Sequence, residues 1–331
     1  MRRRIEYTEK RNYIMEMEIL KALESIRNPV LNWILQAFTY LGEETVFMVL
    51  AIVLFWCVDK WKGYYLLSTG FLGTILSQTM KLIWRVPRPW VRDPSFTVVE
   101  SAQSGATGFS FPSGHTQSAA CTFGGIARFS KRNWLRWLML ILVLLVGFSR
   151  MYLGAHYPSD VAVGLVLGAA AVLVMYPVFQ RARRSVKYMY GVLFVMLLLS
   201  LGYLAYVLLY PFPADVRIMD PVTKTSNWEN GLKNAWTLLG CLLGLIVSFT
   251  ADRKTNFSEK APLLGQICKT VLGLAILVGL RVVLKKLFGL ISDDLYWNAL
   301  RYFCMVVFAG AIWPLSFPFW AKLGQKKNSP R

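Results

Sequence analysis

The residues best suited to chemistry in this chain are its only two histidines, His115 and His156. Each lies in a short polar motif between long apolar runs, and Asp160 follows the second histidine by four positions. At that spacing a carboxylate in the first turn of a helix reaches back to one ring nitrogen, fixes the tautomer and leaves a lone pair on the other nitrogen. The pattern predicts His156 as a nucleophile oriented by Asp160, and leaves His115 to protonate the leaving oxygen.

Strong cations accompany both histidines. Lys81 and Arg88 lie upstream of the first histidine, and Arg150 precedes the second by six positions. Arginine holds phosphate oxygens bidentately, while lysine supplies a compact charge. Ser113 and Gly114, directly before the first histidine, offer hydrogen-bond donors and room for a close approach. Together these residues predict a site that binds a phosphoryl group and breaks its ester, although a single arginine can also snorkel to lipid headgroups.

The rest of the chain predicts the scaffold that positions these residues. The 331 residues are 55% hydrophobic and only 17% charged, and runs such as 192–209 are continuous rather than alternating. This composition predicts an all-α, polytopic transmembrane helical bundle and disfavours a β-barrel. We expect about nine spans: one after a break at 42–44, then eight at 64–84, 115–129, 134–152, 158–179, 188–210, 232–250, 266–288 and 299–320.

The formal net charge of +19 predicts an orientation rather than a nucleic-acid partner. Lys and Arg are scattered in short connections near residues 60, 131, 183 and 254, all on one side of the predicted bundle. That side is expected to be cytoplasmic, which places the histidine motifs on the extracytoplasmic face of a membrane, most simply a bacterial cytoplasmic membrane. Both predicted helix starts near the histidines point their free N–H groups to this face, which suits a phosphate.

The three motifs together resemble the type 2 phosphatidic acid phosphatase superfamily. The matching residues are Lys81-x6-Arg88-Pro89, Pro112-Ser113-Gly114-His115 and Ser149-Arg150-x5-His156-x3-Asp160. The resemblance implies a metal-independent lipid phosphatase, without a cofactor, in which His156 forms a phosphohistidine, Asp160 orients it and His115 protonates the leaving group. It assigns phosphoryl binding to Lys81, Arg88, Ser113, Gly114 and Arg150.

The resemblance also divides the chain. We expect an N-terminal interfacial segment at 1–43, a catalytic core at 44–187 and an extension of about four spans at 188–331. The expected partners are a lipid phosphate or pyrophosphate within the bilayer and the membrane lipids; a homo-oligomer stays open. Two alternatives to hydrolysis also stay open: phosphotransfer to a lipid or sugar hydroxyl, and a lipid transporter or scaffold that retains the fold.

Overall fold

The computed structural model describes residues 2–103, 105–219, 224–292 and 294–324, with side chains from residue 12 onward. These residues are nearly all helical, and no named β-strand occurs among them. The ends of the predicted outer segments, residue 1 and residues 325–331, lie outside the described part. The helices are α1 (Arg2–Ser25), α2 (Pro29–Leu41), α3 (Glu44–Cys57), α4 (Lys60–Trp84), α5 (Pro89–Arg92), α6 (Glu100–Gln103), α7 (Gly114–Ala119), α8 (Gly125–Phe129), α9 (Asn133–Tyr152), α10 (Pro158–Ala182), α11 (Val186–Leu209), α12 (Asn227–Thr255), α13 (Leu263–Gly289), α14 (Trp297–Val307) and α15 (Phe317–Lys322).

Two π-helical turns interrupt the regular helices. Ala120–Gly124 joins α7 to α8, and Phe308–Ile312 follows α14, so that Trp297–Lys322 runs as one long helical segment. Short 3₁₀ turns lie at Ala214–Arg217 and Trp313–Ser316.

The number of membrane-spanning helices is smaller than the sequence predicts. Within the described residues, six helices are long and apolar enough to cross a bilayer, or seven if α2 and α3, which meet at a 50° bend, form one broken span. The two predicted spans that do not qualify are 64–84 and 115–129. Helix α4 is long enough but carries polar side chains such as Ser68 and Thr69. The segment 114–129 is only about 24 Å long, short of the ~30 Å hydrocarbon core.

The described chain forms two compact units that alternate along the sequence. The first comprises 1–47, 69–176 and 211–231, and the second comprises 48–68, 177–210 and 232–331. All the predicted site residues belong to the first unit. The division into segments 1–43, 44–187 and 188–331 stays a prediction.

In the first unit, glycines allow α10 to pack closely on the segment that begins at α7. A Cβ atom on Gly164 would lie 2.7 Å from the Ser113 carbonyl oxygen, and one on Gly168 would lie 2.4 Å from the Ala120 Cβ. Glycines spaced by four residues let two helix backbones approach in a membrane protein, where van der Waals packing drives helix association. This contact joins the helix that carries Asp160 to the segment that carries His115.

The second unit contains buried polar contacts of its own. The Nζ of Lys269 is fully buried and donates to the Trp56 carbonyl oxygen at 2.8 Å, near the carboxyl end of α3. The indole of Trp56 donates in turn to the Ala309 carbonyl oxygen at 2.8 Å. Lys60 pairs with Asp252 at 2.8 Å, and both side chains are largely buried. Cationic donors near a helix carboxyl end satisfy carbonyl groups that lack a partner within the helix.

Replacing Gly168 by Ala tests the close helix contact. The added methyl group has no room against α7 and the π-turn, so we expect the free energy of unfolding to fall by about 1–3 kcal/mol and phosphatase turnover to fall with it. Thermal unfolding in detergent measures the first effect. The matched control is Gly202→Ala in α11, where nothing lies within 4 Å of the added Cβ. We expect that change to be neutral or mildly stabilising, by up to about 1 kcal/mol. Equal effects of the two changes would contradict the packing argument.

Candidate active site

The start of α10 brings His156 and Asp160 together. Pro158 occupies the first helical position, where its missing N–H costs nothing. The Asp160 carboxylate reaches back to the Tyr157 backbone N–H at 2.9 Å and lies 3.2 Å from Nδ1 of His156. The same carboxylate oxygen accepts a hydrogen bond from the Ser110 hydroxyl. Both the histidine and the aspartate are buried, so the ring orientation is fixed by contacts on a rigid helix end.

The contact with Arg88 determines which nitrogen of His156 carries the proton. Its Nη1 lies 3.0 Å from Nε2 of the ring. An arginine guanidinium can only donate, so Nε2 must accept and the ring proton must sit on Nδ1, facing Asp160. Burial and the nearby guanidinium of Arg88 hold the pKa of His156 well below its usual value. The imidazole is therefore neutral at physiological pH, with its lone pair on Nε2.

Backbone carbonyl groups of the connection before α7 hold two of the cations. Lys81 donates to the Phe109 carbonyl oxygen at 2.5 Å. Arg88 donates to the Thr107 carbonyl oxygen at 2.8 Å and, in the connection between α9 and α10, to the Ala155 carbonyl oxygen at 2.9 Å. Both cations are buried. Carbonyl oxygens stabilise the buried charges without neutralising them, so the site keeps its positive potential.

Arg150 lies at the end of α9 with unsatisfied donors. Its side chain is 1% exposed, and its Nε and Nη2 are buried without a hydrogen-bond partner among the described residues. A buried guanidinium without partners is costly, and such groups call for an anion or water. The charges of Arg150, Arg88 and Lys81 act on both histidine rings. The three cations therefore all lie near the two histidine rings.

The Pro-Ser-Gly-His motif forms the start of α7. The Ser113 hydroxyl caps this helix by accepting from the Thr116 backbone N–H at 3.4 Å. The predicted role in phosphoryl binding would therefore be a second role for this side chain. The Ser113 N–H donates to the Asp160 carbonyl oxygen at 3.0 Å, which ties this motif to the start of α10. A Cβ on Gly114 would meet nothing within 4 Å, so open space lies beside the backbone there. The ring of His115 is partly exposed.

The bend between α2 and α3 lies against His115. Gly42 occupies the bend, and a Cβ there would lie 2.8 Å from the His115 carbonyl oxygen and 3.1 Å from its Cβ. Only glycine permits this approach. Thr39 of α2 also contacts Ser149 of α9, with 2.7 Å between their hydroxyl oxygens. The broken helix therefore supports both His115 and the helix end that carries Arg150.

All eight site residues predicted from the sequence thus lie in one region, and their chemical roles stay predictions. No motif in the sequence points to Ser110, whose contact with Asp160 spans fifty positions. None points to Glu16 of α1 either, whose Oε1 accepts from the Ser159 backbone N–H at 2.8 Å, at the start of α10. Within the described residues, no group of three or more His, Cys, Asp and Glu side chains is arranged to hold a metal ion.

Helix α1 packs on the connections that surround the site. Met17 and Leu20 form a buried cluster with Phe96 and Tyr157, next to His156 in the chain. Arg27 donates to the carbonyl oxygens of Tyr152 and Thr97, both at 2.8 Å. The N-terminal helix is therefore a part of the site's support and not only a surface segment.

These observations define a multi-pass helical membrane protein in which two histidines and three buried cations meet at the ends of neighbouring helices. Comparison with known proteins supplies the family. Residues 61–184 match the model of the PAP2 superfamily, and residues 236–326 match that of the PAP2 superfamily phosphatase transmembrane extension. Phosphatidylglycerophosphatase B of Bacillus subtilis (strain 168) is 32% identical over 165 residues, which cover 45% of this chain and 76% of the relative.

A second relative, the undecaprenyl-diphosphatase BcrC of the same strain, is 34% identical over 157 residues, which cover 46% of this chain and 78% of the relative. The crystal structure of Aquifex aeolicus LpxE aligns with a TM-score of 0.44 and 26% identity, covering 48% of this chain and 93% of that one. The chain belongs to the PAP2 superfamily and is a membrane-embedded phosphatase.

Replacing Glu16 by Ala tests the support from α1. The change removes a hydrogen-bond acceptor at the start of α10, so we expect the free energy of unfolding to fall by about 0.5–2 kcal/mol. Because that turn carries Asp160, kcat should fall more than KM rises. Glu16→Gln keeps an acceptor oxygen and should recover most of the loss. The control is Glu18→Ala, an exposed glutamate on the same helix. If both alanine variants behave alike, Glu16 does not position the site.

Proposed function

We propose that this protein hydrolyses a lipid phosphate or pyrophosphate ester through a phosphohistidine intermediate, without a metal ion, on the extracytoplasmic face of a bacterial cytoplasmic membrane. The observation that carries the proposal is the buried Arg150 guanidinium near a neutral His156; its Nε and Nη2 lack hydrogen-bond partners in the part of the chain that the structure describes. A phosphoryl group would satisfy both nitrogens and offset the charges of Lys81 and Arg88. Its phosphorus would then lie next to the Nε2 lone pair of His156, which becomes available when Arg88 Nη1 turns from Nε2 to a phosphoryl oxygen.

In the first step, Nε2 of His156 attacks phosphorus and the ester P–O bond breaks. The electron pair goes to the leaving oxygen, which takes a proton from His115. Burial and the nearby cations lower the pKa of His115, and a bound phosphoryl anion would raise it again, so that the ring is protonated when the ester is in place. Asp160 stabilises the positive charge that develops on the His156 ring, since its carboxylate already faces Nδ1 at 3.2 Å. Lys81, Arg88 and Arg150 stabilise the charge on the equatorial phosphoryl oxygens, with the Ser113 hydroxyl and the Gly114 backbone N–H as further donors.

In the second step, water attacks the phosphohistidine. The now neutral His115 accepts a proton from that water, the P–N bond breaks and its electron pair returns to Nε2. Inorganic phosphate leaves, and both histidines are back in their starting states. The partly exposed position of His115 is consistent with a ring that must contact both a leaving group and water.

The membrane sets the class of substrate. Site residues lie at the ends of apolar helices, so a lipid headgroup can reach them while its tail stays in the bilayer. Two relatives carry names that specify a phosphatidylglycerophosphatase and an undecaprenyl-diphosphatase, which supports a lipid phosphate or pyrophosphate for this chain. Positive residues in the connections at the opposite helix ends support the extracytoplasmic orientation.

The phosphohistidine is testable because the chain has only two histidines. After rapid acid-free quenching of a reaction with ³²P-labelled lipid phosphate, we expect an acid-labile, alkali-stable label on the wild-type protein. His156→Ala should lose both the label and turnover, while His115→Asn should keep the label. Wild-type turnover by the His156→Ala variant would disprove the mechanism.

The role of His115 is testable through the leaving group. A general acid matters most when the leaving oxygen is basic, so His115→Asn should slow hydrolysis of an alkyl phosphate by about 10²–10⁴-fold. An aryl phosphate with an acidic phenol should be affected far less, because its oxygen leaves without protonation. Equal losses on both substrates would assign His115 to binding instead.

The substrate and the reaction type can be separated in one assay. Phosphate release should be measured from undecaprenyl pyrophosphate, phosphatidylglycerophosphate, phosphatidic acid and a sphingoid-base phosphate, with and without an alcohol acceptor. We expect vanadate to inhibit release and EDTA to leave it unchanged. Transfer to the acceptor in preference to water would identify a phosphotransferase. Absence of release from all four lipids would overturn the proposed substrate class.

A further inference from the structure

A large apolar cavity lies in the first unit, away from the histidines. Its volume is about 830 Å³, which is within the range of sites that bind small molecules. The π-turn with α8, helix α9 and helix α10 form its walls, through small or aliphatic side chains such as Ala120, Leu140, Val143, Ala169 and Leu173. Leu140 and Leu173 are exposed, by 43% and 63%, so the cavity is an open groove that the lipid can enter directly.

Two arginines, Arg128 and Arg136, line the same cavity. The Arg128 guanidinium stacks on the ring of Tyr176 at 3.9 Å. The Arg136 Nε donates to the Ser130 carbonyl oxygen at 2.8 Å. These contacts restrain both cations before any ligand arrives.

The sequence around these arginines is rich in basic residues and has no acidic ones. Lys131 and Arg132 lie in the connection between α8 and α9, so four basic residues occur within positions 128–136. No Asp or Glu occurs anywhere between positions 101 and 159. An apolar cavity with a cationic rim is complementary to a molecule that has a hydrocarbon tail and a negatively charged head.

The cavity is distinct from the phosphatase site. Arg128 follows Ser113 by fifteen positions along one helical segment, which is about 22 Å. Arg128 and His115 therefore lie near opposite ends of the helical segment 114–129. A lipid with its headgroup at the arginines cannot place that headgroup at His156.

We propose that this cavity binds an anionic phospholipid, with an acyl chain against the π-turn and α10 and its phosphate at Arg128 and Arg136. The inference does not depend on the proposed function. An inorganic anion would leave the apolar walls uncovered, and a zwitterionic lipid would gain little from the two arginines. Basic residues between transmembrane helices are a recognised means of binding anionic lipid headgroups.

The test compares two lipids with the same acyl chains, phosphatidylglycerol and phosphatidylcholine, titrated onto the purified full chain in detergent and counted by native mass spectrometry. Phosphatidylglycerol is a phosphodiester, so its binding is not confused with turnover of a phosphate monoester. We expect wild type to bind phosphatidylglycerol at least tenfold more tightly. Removing both arginines in the Arg128→Gln, Arg136→Gln variant should weaken that binding by about 25-fold, since each cation near an anionic lipid contributes about fivefold. Binding of phosphatidylcholine should not change.

Two further variants distinguish the contribution of the acyl chain to lipid binding from that of the headgroup. Ala169→Phe fills the cavity without changing a charge and should weaken binding of both lipids. Arg253→Gln, Lys254→Gln removes two exposed cations from α12, in the other unit, and should change neither. Hydrolysis of a water-soluble aryl phosphate reports that each variant is folded.

Equal binding of the two lipids by wild type would overturn the proposal without any variant. So would an equal loss in the Arg253→Gln, Lys254→Gln control, or full lipid binding by Ala169→Phe. Displacement of phosphatidylglycerol by millimolar inorganic phosphate would show that the arginines hold an ion and not a lipid, which also overturns it.

Discussion

The rest of the site depends on one constraint, which is that several positive charges are buried around His156. Lys81, Arg88 and Arg150 are all buried there, and burial of like charges is unfavourable unless other groups satisfy them. The connection before α7 supplies carbonyl oxygens to Lys81 and Arg88, and Asp160 contacts the ring of His156. Two nitrogens of Arg150 have no hydrogen-bond partner among the residues that the structure describes. The architecture stabilises the charges enough to fold but leaves room for an anion, which is what a phosphate site requires.

Holding those charges in place depends on how closely the helices approach. Gly164 and Gly168 let α10 contact α7 and the π-turn, and Gly42 lets the bend between α2 and α3 contact His115. Within a membrane, apolar side chains face lipid as readily as each other, so small residues at contacts contribute more than a hydrophobic stripe. The positions of the two histidines therefore depend on close backbone contacts at glycine residues.

Much of this site could be predicted because its signals are local. The sequence shows that Asp160 follows His156 by about one helical turn. It also shows that Arg150 precedes His156 by six positions. Ser110 and Glu16 could not be found this way, because each contacts the start of α10 from a distant part of the chain. The all-helical membrane fold followed from composition. The number of spans did not, because the hydrophobic run at 115–129 is too short to cross a bilayer and no signal in the sequence shows its π-turn.

The unsatisfied guanidinium of Arg150 has a consequence for the end of the reaction. Groups that favour a bound phosphoryl ester also favour the inorganic phosphate that hydrolysis leaves behind, since both present the same oxygens. Under the proposed mechanism, the product therefore competes with the next lipid for the same cations. The phosphate concentration on the catalytic face of the membrane would then set how much of the enzyme is empty, and lipid turnover would slow where phosphate is abundant.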